Sequence, residues 1–244
     1  MPKTNEGKWA SCVRVIEPVE LKTTQLIELE NNEAALSIYI TTFGSQKPKD
    51  NTPEKQYLVV GTVKDFIPGV NKFSVAYLYT YELLDNGKRL SLLHKTPIDG
   101  IPYCFESYRG MLLAGVGNRI RRYDIGKKQL LKKTEMRHFQ AGINTIQVFG
   151  DRIFITDMSD SFHVLKHRKG DNQFYVFADD ILPRWITASC VLDYHTICGA
   201  DKFGNFFVCR IPEDIDDELD DNPMSYQFRW ETGLMNGAPY KVLT

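Results

Sequence analysis

The sequence predicts an all-β protein, an incomplete β-propeller of four-stranded antiparallel blades, and three observations lead there. Short β-branched and aromatic runs alternate with turn residues from end to end, joined by turns such as Asp85-Asn86-Gly87, Gly117-Asn118 and Gly150-Asp151. No window of about 12 or more residues holds an i, i+3, i+4, i+7 apolar stripe, so helices are not expected. A longer period overlies the strands. Apolar runs that end in a small or acidic turn recur at Leu58-Val59-Val60-Gly61, Leu112-Leu113-Ala114-Gly115, Ile153 to Asp157 and Thr196 to Asp201, at intervals of about 54, 42 and 42 residues. A four-stranded blade takes about 40 to 45 residues. A meander or sandwich without radial repetition would not need that period.

Taken in order, the predicted strands are Cys12 to Ile16, Ala35 to Phe43, Tyr57 to Val63, Ser74 to Leu83, Leu90 to Thr96, Met111 to Val116 and Arg119 to Ile125. They continue with Ile143 to Phe149, Arg152 to Asp157, Ser161 to Lys166, Gln173 to Phe177, Thr187 to Leu192, Thr196 to Gly199 and Asn205 to Ile211. Each recurring run is followed by a second strand of similar rhythm, in three cases by a third, and then by a fourth that leads into the next unit. Residues 1–43 would supply three strands of a further blade. A seven-bladed ring needs about 300 residues at about 43 per blade, so 244 residues correspond to between four and five blades.

Within residues 9–212, the partial propeller, residues 44–56 carry two Pro, three Lys and no large apolar side chain and read as a mobile loop. Residues 1–8 read as a disordered N-terminus. Residues 213–221 hold seven acidic residues in nine and, with Asn222-Pro223, read as a solvated acidic loop over 213–223. Residues 224–244 would begin a further blade or a C-terminal extension.

Composition narrows the function. With 30 Lys plus Arg against 31 Asp plus Glu, the formal charge is −1, which removes the simplest argument for phosphate binding. At 43% hydrophobic residues the chain is too apolar for disorder. Five scattered cysteines without a Cys-x-x-Cys read as reduced thiols in an intracellular protein. The polar Met1 to Lys8 suggests no signal peptide, and no window approaches about 18 consecutive apolar residues.

Motifs for chemistry fail on their residues. Asp214, Asp216 and Glu218 alternate as in a calcium loop, but Leu219 stands where Gly is needed and Ser225 where a bidentate Glu is needed. His163 and His167 have a zinc-like i, i+4 spacing, yet Val164 replaces the glutamate base of a zinc-protease helix and no third ligand lies nearby in sequence. Gly115-Val116-Gly117 has Ile120 where a dinucleotide fingerprint needs its third Gly. No Gly-x-Ser-x-Gly and no catalytic Cys–His context occurs, so neither a catalytic site nor a cofactor or small-molecule substrate is expected.

Two segments carry recognition chemistry. Arg119, Arg121, Arg122, Lys127, Lys128, Lys132, Lys133 and Arg137 place eight cations in nineteen residues. On adjacent strands they would form a patch for nucleic acid or an acidic partner, or serve as a charged, soluble sheet edge. The second segment runs from Phe177 to Thr187 and sets Arg184 and Trp185 beside a turn fixed by Pro183; Trp and Arg are frequent binding anchors. Equally, Trp185 would plug a blade end while Arg184 pairs with Asp179 or Asp180.

Phe177-Ala178-Asp179-Asp180, Pro183-Arg184-Trp185, Leu192-Asp193-Tyr194 and Gly199-Ala200-Asp201-Lys202-Phe203-Gly204-Asn205 resemble the splicing factor 3B subunit 3 family. Asn32-Glu33-Ala34-Ala35, Leu93-His94-Lys95-Thr96-Pro97 and Leu234-Met235-Asn236-Gly237-Ala238 fit the same family. Its wider superfamily includes the large damage-specific DNA-binding protein subunit and the large cleavage and polyadenylation factor subunit. The resemblance implies a nuclear, non-enzymatic scaffold of three propellers, of which this chain matches part of the third, in the particle that recognises the intron branch site. It implies as partners the HEAT-repeat subunit 1, the small subunit 5 and the PHD-finger-like subunit, with RNA contact indirect and no membrane. Ile181, Pro183, Arg184, Trp185, Asp201 and Lys202 fall in the family's partner-contacting segment. The loops at 69–72 and 138–142 lie where the family also makes contacts. Direct RNA binding through residues 119–137, or an adaptor role in ubiquitin ligation or DNA repair, are the alternatives.

Overall fold

Consecutive apolar residues on a strand point to opposite faces, so a run without a polar gap must be covered on both sides. The strands with the strongest runs of that kind each sit inside a sheet. The computed structural model describes residues 6–44, 55–180, 182–211 and, as backbone, 231–234. Most of the predicted N-terminal tail, of the 44–56 loop and of residues 224–244, the whole acidic loop 213–223, and Ile181 lie outside the described residues. No α-helix occurs among the described residues.

The chain divides into two compact units, residues 1–116 with 122–133, and residues 117–121 with 134–244. In the first, β1 (Cys12–Ile16) and β2 (Thr23–Glu28) form an antiparallel hairpin. A four-stranded meander follows, β3 (Glu33–Thr42), β4 (Gln56–Lys64), β5 (Val75–Leu84) and β6 (Arg89–Ile98). Next come β7 (Pro102–Tyr108), β8 (Met111–Val116), β9 (Arg119–Asp124) and β10 (Leu131–Arg137), in sheet order β10-β9-β8-β7, with residues 119–121 of β9 and 134–137 of β10 counted in the second unit. The second unit holds β11 (Ile143–Phe149), β12 (Arg152–Asp157), β13 (Ser161–Arg168) and β14 (Gln173–Asp179) as one sheet. Its other sheet is β15 (Ile186–Val191), β16 (Thr196–Asp201), β17 (Phe206–Arg210) and β18 (Glu231–Leu234). The fold class is therefore the one the spacing predicts, successive four-stranded antiparallel blades of an incomplete propeller.

The phase of the repeat differs from the sequence reading by one strand. The strongest apolar runs are β4, β8, β12 and β16, and each is the second strand of its sheet. The strand that leads into the next unit in fact opens the next sheet. Likewise residues 1–43 do not supply three strands of one blade, because β3 pairs with β4 and leaves β1 and β2 as a two-stranded sheet. The reason is burial. β12 is buried at all six positions, whereas β15, a first strand, has only Ile186 buried, so the hydrophobic period registers the inner strands.

A second repeat is invisible in composition. The pairing of first with second strand shifts register between Ala35 and Ser37, Pro102 and Cys104, Ile143 and Thr145, and Ile186 and Ala188, so every blade bulges near the start of its first strand. First strands of successive sheets are then stitched by side chains. In the first unit Ser37 Oγ donates to Pro102 O at 2.7 Å and the Thr41 and Ser107 hydroxyls meet at 2.9 Å. In the second, Asn144 Nδ2 donates to Ile186 O at 3.1 Å and Gln147 Nε2 to Ser189 O at 2.9 Å.

Two glycines mark where sheets approach. A Cβ on Gly61 would lie 2.8 Å from Pro102, and one on Gly199 would lie 2.7 Å from the Phe162 ring. In the first unit, Val59 joins Phe43, Leu78, Phe105 and Leu112 in one core, while its neighbours Leu58 and Val60 join Val13, Tyr79 and Tyr81 in another. Phe154, Phe162, Val164, Ile197 and Phe207 are central to the core of the second unit.

Candidate functional site

The connection between β14 and β15 is held from below. Asp180 is buried; its backbone N–H donates to Phe162 O at 2.9 Å, and its carboxylate accepts from Ser161 Oγ at 2.7 Å, from the Leu182 backbone N–H at 3.1 Å and from Arg184 Nε at 2.9 Å. The Arg184 guanidinium lies 4.3 Å over the Phe207 ring, and its side chain is 13% exposed. Arg184 thus pairs with Asp180 and is spent on the loop itself. Pro183 is exposed.

That anchoring turns the next residue outward. Trp185 is 47% exposed and plugs no core. Its carbonyl accepts from the Lys202 N–H at 3.0 Å, and Lys202 Nζ stands 3.0 Å from the ring centroid, in cation–π contact. Lys202 Nζ is also 5.1 Å from the ring of Phe203, itself 68% exposed.

The β16–β17 loop that carries Lys202 is closed by Asp201. Its carboxylate accepts from the Phe203 and Asn205 N–H groups at 2.9 Å each and from Asn205 Nδ2 at 2.8 Å. The Asn205 side-chain donor in particular holds the Asp201 carboxyl below the usual carboxylate range, with slight burial opposing. The result is an exposed aromatic–cation–aromatic cluster on a pinned loop. It offers large apolar area and a directed charge with little conformational entropy left to lose, which suits protein recognition.

The cationic segment is arranged differently. Arg121 and Arg122 are buried at 4% and 7% exposure, while Lys127 and Lys128 are exposed in the β9–β10 turn. Glu135 gathers three arginines: Arg121 Nε at 2.8 Å, Arg137 Nε at 2.8 Å and Arg119 Nη1 at 4.0 Å. Burial lowers the pKa of Arg122. The five predicted patch residues therefore do not share one exposed stripe.

His163 and His167 do not come together either. His167 meets Asn172 Oδ1 at 3.1 Å, whereas His163 pairs across the hairpin with Asp179. Its ring is edge-on to His138 at 5.6 Å between centroids, and burial pushes its pKa down to about 4, which keeps it neutral at neutral pH. In the 138–142 loop the Ala141 N–H donates to Asp157 Oδ2 at 2.9 Å. The 69–72 segment overlaps a 3-10 turn, Pro68–Val70. Sequence spacing missed the His163–Asp179 pair, which lies 16 positions apart; the hairpin register of β13 and β14 would have revealed it.

These features define a class, a blade-built β-protein whose most accessible chemistry is an aromatic–cation recognition surface. The chain belongs to the CPSF A subunit region family, whose pattern it matches over residues 10–241. It is 44% identical over 246 residues to spliceosome-associated protein 130 A of Arabidopsis thaliana and 40% identical over 241 residues to splicing factor 3B subunit 3 of Danio rerio. It is 38% identical over 240 residues to pre-mRNA-splicing factor RSE1 of Mycosarcoma maydis. These matches cover 98 to 99% of this chain but 19% of each relative, so the chain spans about a fifth of the length of the curated relatives it matches. The resemblance to the splicing factor 3B subunit 3 family is borne out along the chain.

Proposed function

We propose that this chain is a non-enzymatic protein–protein interaction scaffold of the splicing factor 3B complex and acts in the nucleus in pre-mRNA splicing. Its partners are the HEAT-repeat subunit 1, subunit 5 and the PHD-finger-like subunit, and RNA is reached through them. The observation that carries this reading is Trp185, exposed beneath Lys202 on a connection that Asp180 and Arg184 hold rigid. Pro183 and Trp185 on one loop, with Lys202 and the Asp201 clamp on the other, form the contact surface; Arg184 positions Trp185 from inside. Direct RNA binding through residues 119–137 is the weaker reading, since Arg121 and Arg122 are buried. An adaptor role in ubiquitin ligation is also weaker, because the relatives reported above carry splicing names.

Affinity capture from nuclear extract with the tagged chain tests the proposal. Recovery of splicing factor 3B subunits should fall about tenfold or more in Trp185→Ala, as expected of an anchor worth about 1.4 kcal/mol or more. Recovery of a ligase scaffold in place of splicing subunits overturns it, as does equal recovery by wild type and variant.

A further inference from the structure

We propose that His138, His163 and Asp179 form a binding site for a divalent transition-metal ion of the zinc class. Hairpin pairing sets His163 opposite Asp179, β13 to β14, and directly paired residues project to the same face of a sheet. His138 arrives from the segment after β10 with its ring perpendicular to that of His163, at 87°. One ligand atom from each of the three lies within 4.8 Å of the others. Tetrahedral ligands about 2.0 to 2.1 Å from zinc stand about 3.3 Å apart, so only a modest inward movement is required. His138 is exposed and supplies both that movement and the entry route.

A second observation points to a ligand independently. His163 is 3% exposed, and neither of its ring nitrogens has a hydrogen-bond partner. The nearest charged group is Asp160, whose Oδ2 is 3.7 Å from His163 Nε2. Burying an imidazole without a partner is costly, and coordination through a ring nitrogen lone pair removes that cost.

The donor set selects the ion. Two imidazoles and one carboxylate suit zinc, cobalt or nickel, whereas calcium and magnesium demand oxygen ligands. Asp160, 3.7 Å from His163 Nε2, is placed to orient the His163 ring. The Phe139 ring, 5.2 Å from His163 and edge-on, forms an apolar wall. The loop needs no metal to reach this position, because Asp157 holds Ala141 and the Met158 N–H donates to Gly142 O at 3.0 Å. A bound ion would clasp the 138–142 loop to the β13–β14 hairpin.

The test uses the full 244-residue chain, stripped with a chelator and titrated with zinc alone against a zinc-responsive fluorescent competitor. Expected is one equivalent bound with a Kd of about 1 μM or tighter. His138→Ala and Asp179→Asn should each weaken binding by about tenfold or more. Zinc should raise the unfolding midpoint of wild type and not of His138→Ala, whose exposed position keeps the metal-free midpoint unchanged. His163→Gln should abolish binding; should it fail to fold, the other two variants decide. Cobalt substitution should give d–d bands without thiolate charge transfer, which separates this site from Cys190 and Cys198, paired across β15 and β16. Absence of zinc binding, equal affinity in His138→Ala and Asp179→Asn, or a thiolate spectrum overturns the proposal.

Discussion

Two cation–aromatic contacts of the second unit have opposite results. Arg152 lies 3.9 Å over the Tyr194 ring, and Lys202 lies 3.0 Å over the Trp185 ring. Arg152 is fully buried; it opens β12, donates from Nη1 to Tyr194 O at 2.8 Å and approaches His195 Nδ1 at 3.2 Å. Its planar fork thereby ties β12 to the turn between β15 and β16. Lys202 occupies an exposed loop, and its compact ammonium sits over the face of the half-exposed indole. The inward pair holds sheets together, and the outward pair presents a surface. Cation–aromatic chemistry is common to both; strand position decides which role it plays.

Substitutions can break this comparison. The largest effect is expected from Arg152→Ala, which removes a buried cation and opens a cavity between sheets, at a cost of about 3–5 kcal/mol in urea unfolding. A cost below about 1 kcal/mol would place Arg152 with the outward pair. Glu135→Ala follows, at about 2–3 kcal/mol, because buried Arg121 loses the carboxylate at 2.8 Å. Lys202→Ala should lower stability by only about 0.5 kcal/mol, the value of an exposed cation–π contact. Trp185→Ala removes the same exposed contact and should cost a similarly small amount, about 0.5 kcal/mol by the same measurement, although it is the variant expected to lose partner capture. A large destabilisation there would return Trp185 to a packing role.

Much of the fold was legible because its signals are local. Leu58 to Gly61, Leu112 to Gly115 and Ile153 to Asp157 each declare an inner strand, since a doubly covered strand shows an unbroken apolar run. Strands of mixed pattern were harder. β2 and β7 carry mixed patterns and were not among the predicted strands, and sheet membership depends on partners that no single run contains. The Arg184–Asp180 pair was readable at a spacing of four residues. The exposure of Trp185 was not, because its surroundings include Lys202, 17 positions on and joined to it by a backbone bond. For His163 the misleading cue was His167 in the same strand, when the neighbours that matter, His138 and Asp179, come from a loop and from the next strand.

The sequence by itself determined the strand content, the blade-length period and the membership of the family, because two-residue alternation, turn chemistry and residue identity belong to short stretches of chain. Tertiary structure decided the rest. It set the phase of each blade, buried Arg121, Arg122 and Arg152 while exposing Trp185 and Lys202, and joined His163 to Asp179. Burial and electrostatic environment are properties of neighbours brought from distant strands, and the free energy of a charge or an aromatic ring depends on those neighbours more than on its own identity.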